Sequence, residues 1–157
     1  MRVGALVAAA MLLAGCASAR SETPPSPATA AAAATAVANK KLVVDFYRIT
    51  FIDKQVREGF ERYVTPDYIQ HNPLVPTGRE AAVKLLTPRV TKDSIADIKR
   101  VIAEDDLVVL HVHSRTNAHD RGRAIVDIFR VANGKIVEHW DVVQPVPAAS
   151  QNNNTMF

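Results

Sequence analysis

Apolar residues change their spacing along the chain, and this change separates a helical part from a strand part. Between Lys40 and Asp53 they recur every three or four positions, which predicts a helix with one buried stripe. The same spacing predicts a second, shorter helix over residues 56–64 and a third over residues 77–87, which ends before Pro88. Three helices are therefore expected before the main strands.

A period of two replaces the helical spacing in the second half of the chain. The predicted strands are one short segment, Tyr68–Asn72, and four longer ones, Ile95–Ala103, Leu107–Thr116, Arg123–Ala132 and Lys135–Gln144. This order favours an α+β fold, with the helices packed on one face of a largely antiparallel sheet. Because both faces of the middle strands are apolar, three helices cannot cover the whole sheet. We expect a homodimer through the uncovered face.

The last two strands form a predicted hairpin around the Asn-Gly pair at residues 133–134, since both residues tolerate a positive φ angle in a two-residue turn. Counting outward from this turn places Asp127 opposite Trp140, with Phe129 on the same face. The same count turns His139 to the other face, which excludes it from a site at Asp127. A lone carboxylate on an apolar wall marks a candidate site, and the alternative is a buried Asp satisfied by a neighbouring His or the backbone.

Two histidines on one strand, His111 and His113, are candidate partners for Asp127. An imidazole suits acid-base work because it changes charge near neutral pH. In this hypothesis His113 exchanges protons with Asp127 and His111 orients the substrate; the alternative is a pair of core histidines hydrogen-bonded to polar groups. The residues predicted to contact a substrate are His111, His71, Trp140, Phe129 and Tyr47.

We expect neither a cofactor nor a metal. The two strand histidines could chelate a metal with His71 as a third ligand, but no Asp or Glu stands at a recognisable ligand spacing. The chain has no glycine-rich phosphate loop, paired-cysteine zinc motif or serine-centred elbow. The formal net charge is +3, with basic residues scattered among acids, which argues against nucleic-acid binding.

The N-terminus has the pattern of an export signal. Arg2 precedes an apolar run, residues 3–13, that is too short to span a bilayer. The run ends in Leu-Ala-Gly-Cys, which resembles the cleavage box of bacterial lipoproteins, and this resemblance implies a lipid on Cys16. The protein would then be exported and anchored to the cell envelope on the periplasmic side. Ala17, rather than Asp, is compatible with the outer membrane in a Gram-negative host.

The expected domain organisation follows from these patterns. It comprises a lipoprotein signal peptide (residues 1–16), a tether rich in Ala, Pro, Ser and Thr (17–38), one folded domain (39–145) and a disordered polar tail (146–157).

The element order, with Tyr68–Pro73 early and the Asp127 hairpin late, resembles the SnoaL-like polyketide cyclase family over residues 39–145. That family belongs to the nuclear-transport-factor-two-like superfamily. The resemblance implies a cone-shaped, curved antiparallel sheet, with three N-terminal helices on its concave face around one deep pocket. It also implies that Asp127 and His113 move protons in an aldol closure without a cofactor. Ketosteroid isomerase shares the fold and places its base, a carboxylate, at the position that Asn72 holds here.

Two functional hypotheses remain open from the sequence. In the first, the domain is a cofactor-independent enzyme for aldol-type cyclisation, isomerisation or dehydration of a carbonyl-containing small molecule. In the second, it is a non-catalytic module of the cell envelope that binds an apolar ligand or a partner protein, since a fold alone does not establish chemistry.

Overall fold

The computed structural model describes residues 26–157, so the expected signal peptide and Cys16 lie outside the described residues. Helix α1, Pro27–Tyr47, runs directly into a π-helical segment, Arg48–Ile52. The remaining elements are α2 (Val56–Tyr63), β1 (Val64–Gln70), α3 (Arg79–Leu86), β2 (Ile95–Glu104), β3 (Leu107–Arg115), β4 (Arg123–Ala132) and β5 (Lys135–Pro145).

Helix α1 begins inside the segment that was expected to be a tether. The Ser26 side chain caps it by accepting a hydrogen bond from the Thr29 backbone N–H at 3.2 Å, and Pro27 occupies the first turn, where its missing N–H costs nothing. The alanine run that follows has the highest helix propensity of any residue type, so it extends the helix without an apolar face to bury. Only the C-terminal half packs against the domain, through Val43, Phe46 and Tyr47. Within residues 26–157, none of the helices is long and apolar enough to cross a membrane.

The five strands form one curved, unclosed sheet in the order β1-β5-β4-β3-β2. Strands β2 to β5 pair antiparallel, whereas β1 pairs parallel with β5. The helices lie on the concave face, where they share one core with the inward side chains of the strands, such as Val108, Leu110 and Val112. The predicted α+β architecture, with three helices on the concave face of a curved sheet, is confirmed.

The turn between β4 and β5 has the predicted two-residue form. Asn133 and Gly134 have φ angles of 51° and 71°, and Ala132 pairs with Lys135 across the turn. The left-handed conformation at both positions is the one that Asn and Gly adopt most easily. The predicted two-residue turn is therefore confirmed.

The register farther from the turn differs from the prediction because β5 contains a β-bulge. Val131 pairs with Ile136, but Arg130 pairs with Glu138, so Val137 is an extra residue. The bulge allows Ile136 and His139, which are three residues apart, to be buried on the same concave face.

The bulge moves every residue of β5 beyond it to a new partner. Asp127 lies opposite Asp141 and Phe129 lies opposite His139, while Trp140 lies opposite Ile128 on the convex face. The prediction that Asp127 faces Trp140 and that His139 is turned away was wrong. A strand has a side-chain period of two, so a single inserted residue reverses both faces.

Candidate functional site

The helices and the concave face of the sheet enclose a cavity of about 420 Å³, a size typical of small-molecule sites. Its walls are mainly apolar and aromatic, and its deepest polar groups come from β1, β4 and β5. The residues that matter most for its chemistry are Tyr47, Tyr68, Gln70, Asp127, His139 and Asp141. The cavity therefore combines a mainly apolar wall with a small polar cluster on one side.

Asp127 and His139 form the centre of this cluster. Each is only 7% exposed, and Asp127 Oδ1 lies 3.0 Å from His139 Nε2. The second carboxylate oxygen of Asp127, Oδ2, is buried and receives no hydrogen bond of regular length and angle from a described residue; the Tyr47 phenol is the polar group beside this carboxylate. A buried acceptor of this kind is costly in a structural role and is free for use in a chemical one.

Gln70 holds a proton on Nδ1, the ring nitrogen of His139 that points away from Asp127. The backbone N–H of Asn72 donates to Gln70 Oε1 at 2.9 Å, and this bond identifies that atom as the oxygen of the amide. His139 Nδ1 lies 3.0 Å from the same oxygen and must therefore donate to it.

The fixed N–H on Nδ1 leaves one proton to be shared across the Asp127–His139 contact. If the imidazole is neutral, its Nε2 is an acceptor and Asp127 must be a carboxylic acid. If Asp127 is a carboxylate, His139 must be an imidazolium. In both forms the two residues together hold one movable proton and carry no net charge, which suits a buried position.

Asp141 adds a second carboxylate directly across the ladder from Asp127. The side-chain amide of Asn72 lies 2.7 and 2.8 Å from its two oxygens and holds it in place by donation. Ligand atoms of Asp127, His139 and Asp141 all lie within 4.8 Å of one another, so these three are the residues that could hold a metal ion. The chemistry of this donor set suits a divalent cation only if the shared proton is displaced.

Two buried tyrosines face this cluster. Burial raises the pKa of Tyr47 well above its usual value, and the charge of Asp127, a hydrogen bond to that carboxylate and the charge of Asp141 raise it further. Burial, followed by the same two charges, also raises the pKa of Tyr68 far above its usual value. Gln70 Nε2 donates to the Tyr68 hydroxyl at 3.1 Å, which leaves the Tyr68 O–H free to donate. Both phenols thus stay protonated at neutral pH.

Comparison with protein families gives a match over residues 43–139 to the model described as SnoaL-like domain. The chain belongs to the SnoaL-like domain family. None of the curated proteins matches the chain at a significant level.

Solved structures agree with this membership at the level of the fold. A nuclear-transport-factor-two-like protein of unknown function from Burkholderia xenovorans LB400 superimposes with a TM-score of 0.63 at 15% identity, covering 74% of this chain and 91% of that one. A candidate ketosteroid isomerase from Kribbella flavida gives a TM-score of 0.61 at 13% identity, with 78% and 89% covered. A candidate SnoaL-like polyketide cyclase from Jannaschia sp. CCS1 gives a TM-score of 0.57 at 16% identity. The match covers 78% of this chain and 91% of that one.

The structure does not bring the strand histidines of this SnoaL-like domain to Asp127. His111 and His113 pair with Val126 and Ala124, so all four lie on the convex face, whereas Asp127 pairs with Leu110 on the concave face. The prediction that His113 shares a face with Asp127 was wrong, because Asp127 directly follows Val126, which faces His111, and adjacent strand residues point to opposite faces.

The two histidines have partners of their own on the convex face. Arg100 donates to His111 Nδ1 at 2.9 Å. His113 Nε2 donates to the Arg121 carbonyl at 2.8 Å, and its ring stacks on Phe157 with 4.2 Å between centroids. The C-terminal residue thus covers this part of the sheet.

The other predicted contact residues divide between the two faces. Tyr47 and Phe129 line the cavity. Trp140 does not: its ring stacks on His71 with 4.6 Å between centroids, on the convex side of β5. His71 is half exposed and lies 2.7 Å from Glu138 rather than at the cavity rim. The prediction that Trp140 and His71 surround the pocket was wrong: the altered register of β5 turns Trp140 outward, and His71, the residue after the cavity-lining Gln70, stacks on it there.

Sequence reasoning missed His139, Asp141, Gln70 and Tyr68 as cavity residues. One signal could have revealed the two residues of β5, His139 and Asp141. The regular register pairs Phe129 with Glu138 on the buried face and Arg130 with Val137 on the other. Each pair sets a charged side chain opposite an apolar one, so both pairs are unfavourable. The bulged register instead brings Arg130 Nε to 2.8 Å from Glu138 Oε2 on the convex face.

Proposed function

We propose that this SnoaL-like domain catalyses cofactor-independent proton transfer at a carbon next to a carbonyl group in a small, largely apolar molecule. The observation that carries the proposal is the buried Asp127–His139 pair, which holds one movable proton at the wall of a dry cavity. Such a pair can accept a proton from carbon and return it elsewhere, which is the common step of isomerisation, dehydration and aldol-type closure.

The proposed first step is removal of the substrate proton by Asp127. In the carboxylate–imidazolium form, the C–H bond breaks, the proton goes to Asp127, and the electron pair moves to the carbonyl oxygen to give an enolate. The positive charge of His139 stabilises the carboxylate before the step, and Gln70 keeps its ring in position. The wall of the cavity excludes water, which strengthens these interactions.

The buried phenols of Tyr47 and Tyr68 are the proposed donors to the enolate oxygen. Both stay protonated because burial raises the pKa of each. A positioned donor of this type stabilises charge that develops during the reaction. Return of the proton from Asp127 to a different carbon gives an isomer. Attack of the enolate carbon on a second carbonyl carbon of the same molecule closes a ring, and the alkoxide that forms takes the proton from Asp127.

Exchange of carbon-bound hydrogen for deuterium tests this proposal without knowledge of the natural substrate. The probe is a panel of small cyclic aryl ketones in deuterated buffer, followed by proton NMR. We expect protein-dependent exchange that falls by about 10²–10⁴-fold in Asp127→Asn. His113→Asn, on the convex face, is the matched control and should exchange like the parent protein. Equal exchange by Asp127→Asn and the parent would refute the proposal.

A second candidate function is a non-catalytic, ligand-binding or protein-interaction lipoprotein of the cell envelope, and the Leu-Ala-Gly-Cys sequence at residues 13–16 favours it. In this alternative the cavity binds an apolar molecule and the protein is exported, lipidated at Cys16 and dimeric through the convex face. Metabolic labelling with a fatty acid should modify the parent chain and not Cys16→Ala. Ligand binding without hydrogen exchange on any ketone would favour this alternative.

A further inference from the structure

We propose that the cavity takes a substrate with an anionic group, a carboxylate or a phosphate, at the end opposite its reacting carbonyl. The proposal deepens the proposed function and rests on it only for the position of the carbonyl. It names a class of substrate: an elongated molecule with an apolar body and one acidic end.

The mouth of the cavity is basic. The lining residues that are exposed to solvent are Arg89, Thr116 and Arg123, so this is where the cavity opens. Arg115 belongs to this end of β3, but its side chain lies on the convex face with His113 and pairs there with Asp97. Asp127 and His139, by contrast, are deeply buried. An entering molecule therefore passes the guanidinium groups of Arg89 and Arg123 before it meets the polar cluster.

Acidic neighbours neutralise this basic mouth only in part. Asp97 forms a 2.9 Å ion pair with Arg115, so Arg115 adds no unpaired charge to the opening. Asp120 accepts hydrogen bonds from its own loop, namely from the backbone N–H and hydroxyl of Thr116 and the backbone N–H of Gly122. These hydrogen bonds lower the pKa of Asp120, and the charge of Arg123 helps to lower it. Neither Arg89 nor Arg123 forms a salt bridge among the described residues, although Arg89 donates to the Leu85 carbonyl. Positive charge is thus left over at the opening.

The two ends lie at a separation that one small molecule can span. Arg123 and Asp127 are on the same face of β4, four residues apart, which corresponds to about 13 Å along the strand. Ile125 lies between them and lines the cavity. An acid of this length would place its anionic group at the arginines and its carbonyl at Asp127, with its apolar body against the wall.

The chemistry of the mouth favours carboxylate or phosphate over other polar groups. A guanidinium donates two parallel hydrogen bonds to either anion, and these charge-assisted bonds are stronger than neutral ones. Neutral polar groups gain no such advantage. The arginines would therefore select the acidic end and orient the substrate in one direction.

Binding of matched neutral and anionic naphthalene compounds tests this inference. Isothermal titration would compare naphthaleneacetate with naphthaleneacetamide, and naphthyl phosphate with naphthol. We expect at least one anion to bind about tenfold or more tightly than its neutral partner. The pair with the larger ratio identifies whether carboxylate or phosphate is preferred.

Single substitutions locate this preference. Arg123→Gln is exposed and should reduce the anion-to-neutral ratio about fivefold or more, with the affinity for the neutral compound unchanged. Arg121→Gln, an exposed arginine outside the cavity lining, is the matched control and should keep the ratio. Equal affinities within each pair, no binding of any probe, or an unchanged ratio in Arg123→Gln would overturn the inference. Asp127→Asn should keep the ratio, so loss of exchange chemistry and loss of anion preference are separate outcomes.

Discussion

The concave and convex faces of the sheet carry similar residue types in very different surroundings. On the convex face, His71 and Glu138 form an ion pair at a half-exposed position, and His111 accepts from Arg100 in an exposed contact. On the concave face, the side chains of His139 and Asp127 are each about 10% exposed. Solvent screens the first kind of pair and leaves it with little energy, whereas burial strengthens the second.

The comparison teaches that residue type alone does not identify a site in this protein. Two histidines at alternate positions of β3 look like a catalytic pair, but they lie outside the cavity. The histidine that meets Asp127 comes from β5, and one extra residue, Val137, brings it there. The position of a bulge therefore decides which imidazole contacts Asp127.

The largest expected effect that separates the two faces is on activity. His139→Asn should lower ketone hydrogen exchange by about 10²-fold or more, because Asn cannot carry the imidazolium charge that stabilises the Asp127 carboxylate. His111→Asn should leave the rate within about twofold. The measurement is the exchange rate per folded protein, with folding checked by circular dichroism. Equal losses in both variants would remove the distinction between the faces.

Alkaline pH should produce the next largest effect, through the buried tyrosines of the concave side. The pKa of Tyr47 and of Tyr68 is raised in the folded state, so the unfolded chain loses these protons first as pH rises. Stability is then constant below about pH 9 and falls above about pH 10, by about 1 kcal/mol per pH unit for each tyrosine.

Urea unfolding at several alkaline pH values would measure this loss. The double variant Tyr47→Phe with Tyr68→Phe should flatten the dependence of the unfolding free energy on pH. The same steep fall in the double variant would show that other groups cause it.

The smallest expected effect concerns the convex face. Phe157 stacks on His113 and His111, with centroid distances of 4.2 and 5.5 Å, and all three residues are partly buried. Phe157→Ala should change the unfolding free energy by less than about 1 kcal/mol and leave exchange activity intact. NMR should show shifts for the ring of His113 and none for His139. A shift of His139 would mean that the two faces are coupled.

The sequence predicts local features of this fold well. The three helices, the four long strands and the two-residue turn at Asn133 and Gly134 depend on apolar spacing and on φ preferences, which act over a few residues. The start of α1 was missed because a capped alanine run needs no apolar face to form a helix. The parallel pairing of β1 with β5 has no local signal at all.

The candidate site could be predicted only in part, since it depends on register. Asp127 stands out locally as a carboxylate in a strand, and it lies in the cavity. Its partner does not stand out, because the bulge at Val137 arises from competition between pairings on both faces, including the contact between Arg130 and Glu138. A count of alternate residues assumes no bulge and fails by one position.

The protonation pattern of His139 tests the central claim most directly. Nitrogen-15 NMR of the imidazole rings distinguishes a proton on Nδ1 from one on Nε2 and reports the imidazolium. The account predicts that the proton of the neutral His139 ring sits on Nδ1, held by Gln70, and that Gln70→Leu removes this preference. A neutral ring protonated only on Nε2 would contradict the account, because that N–H would donate to Asp127 and the pair would hold no shared proton.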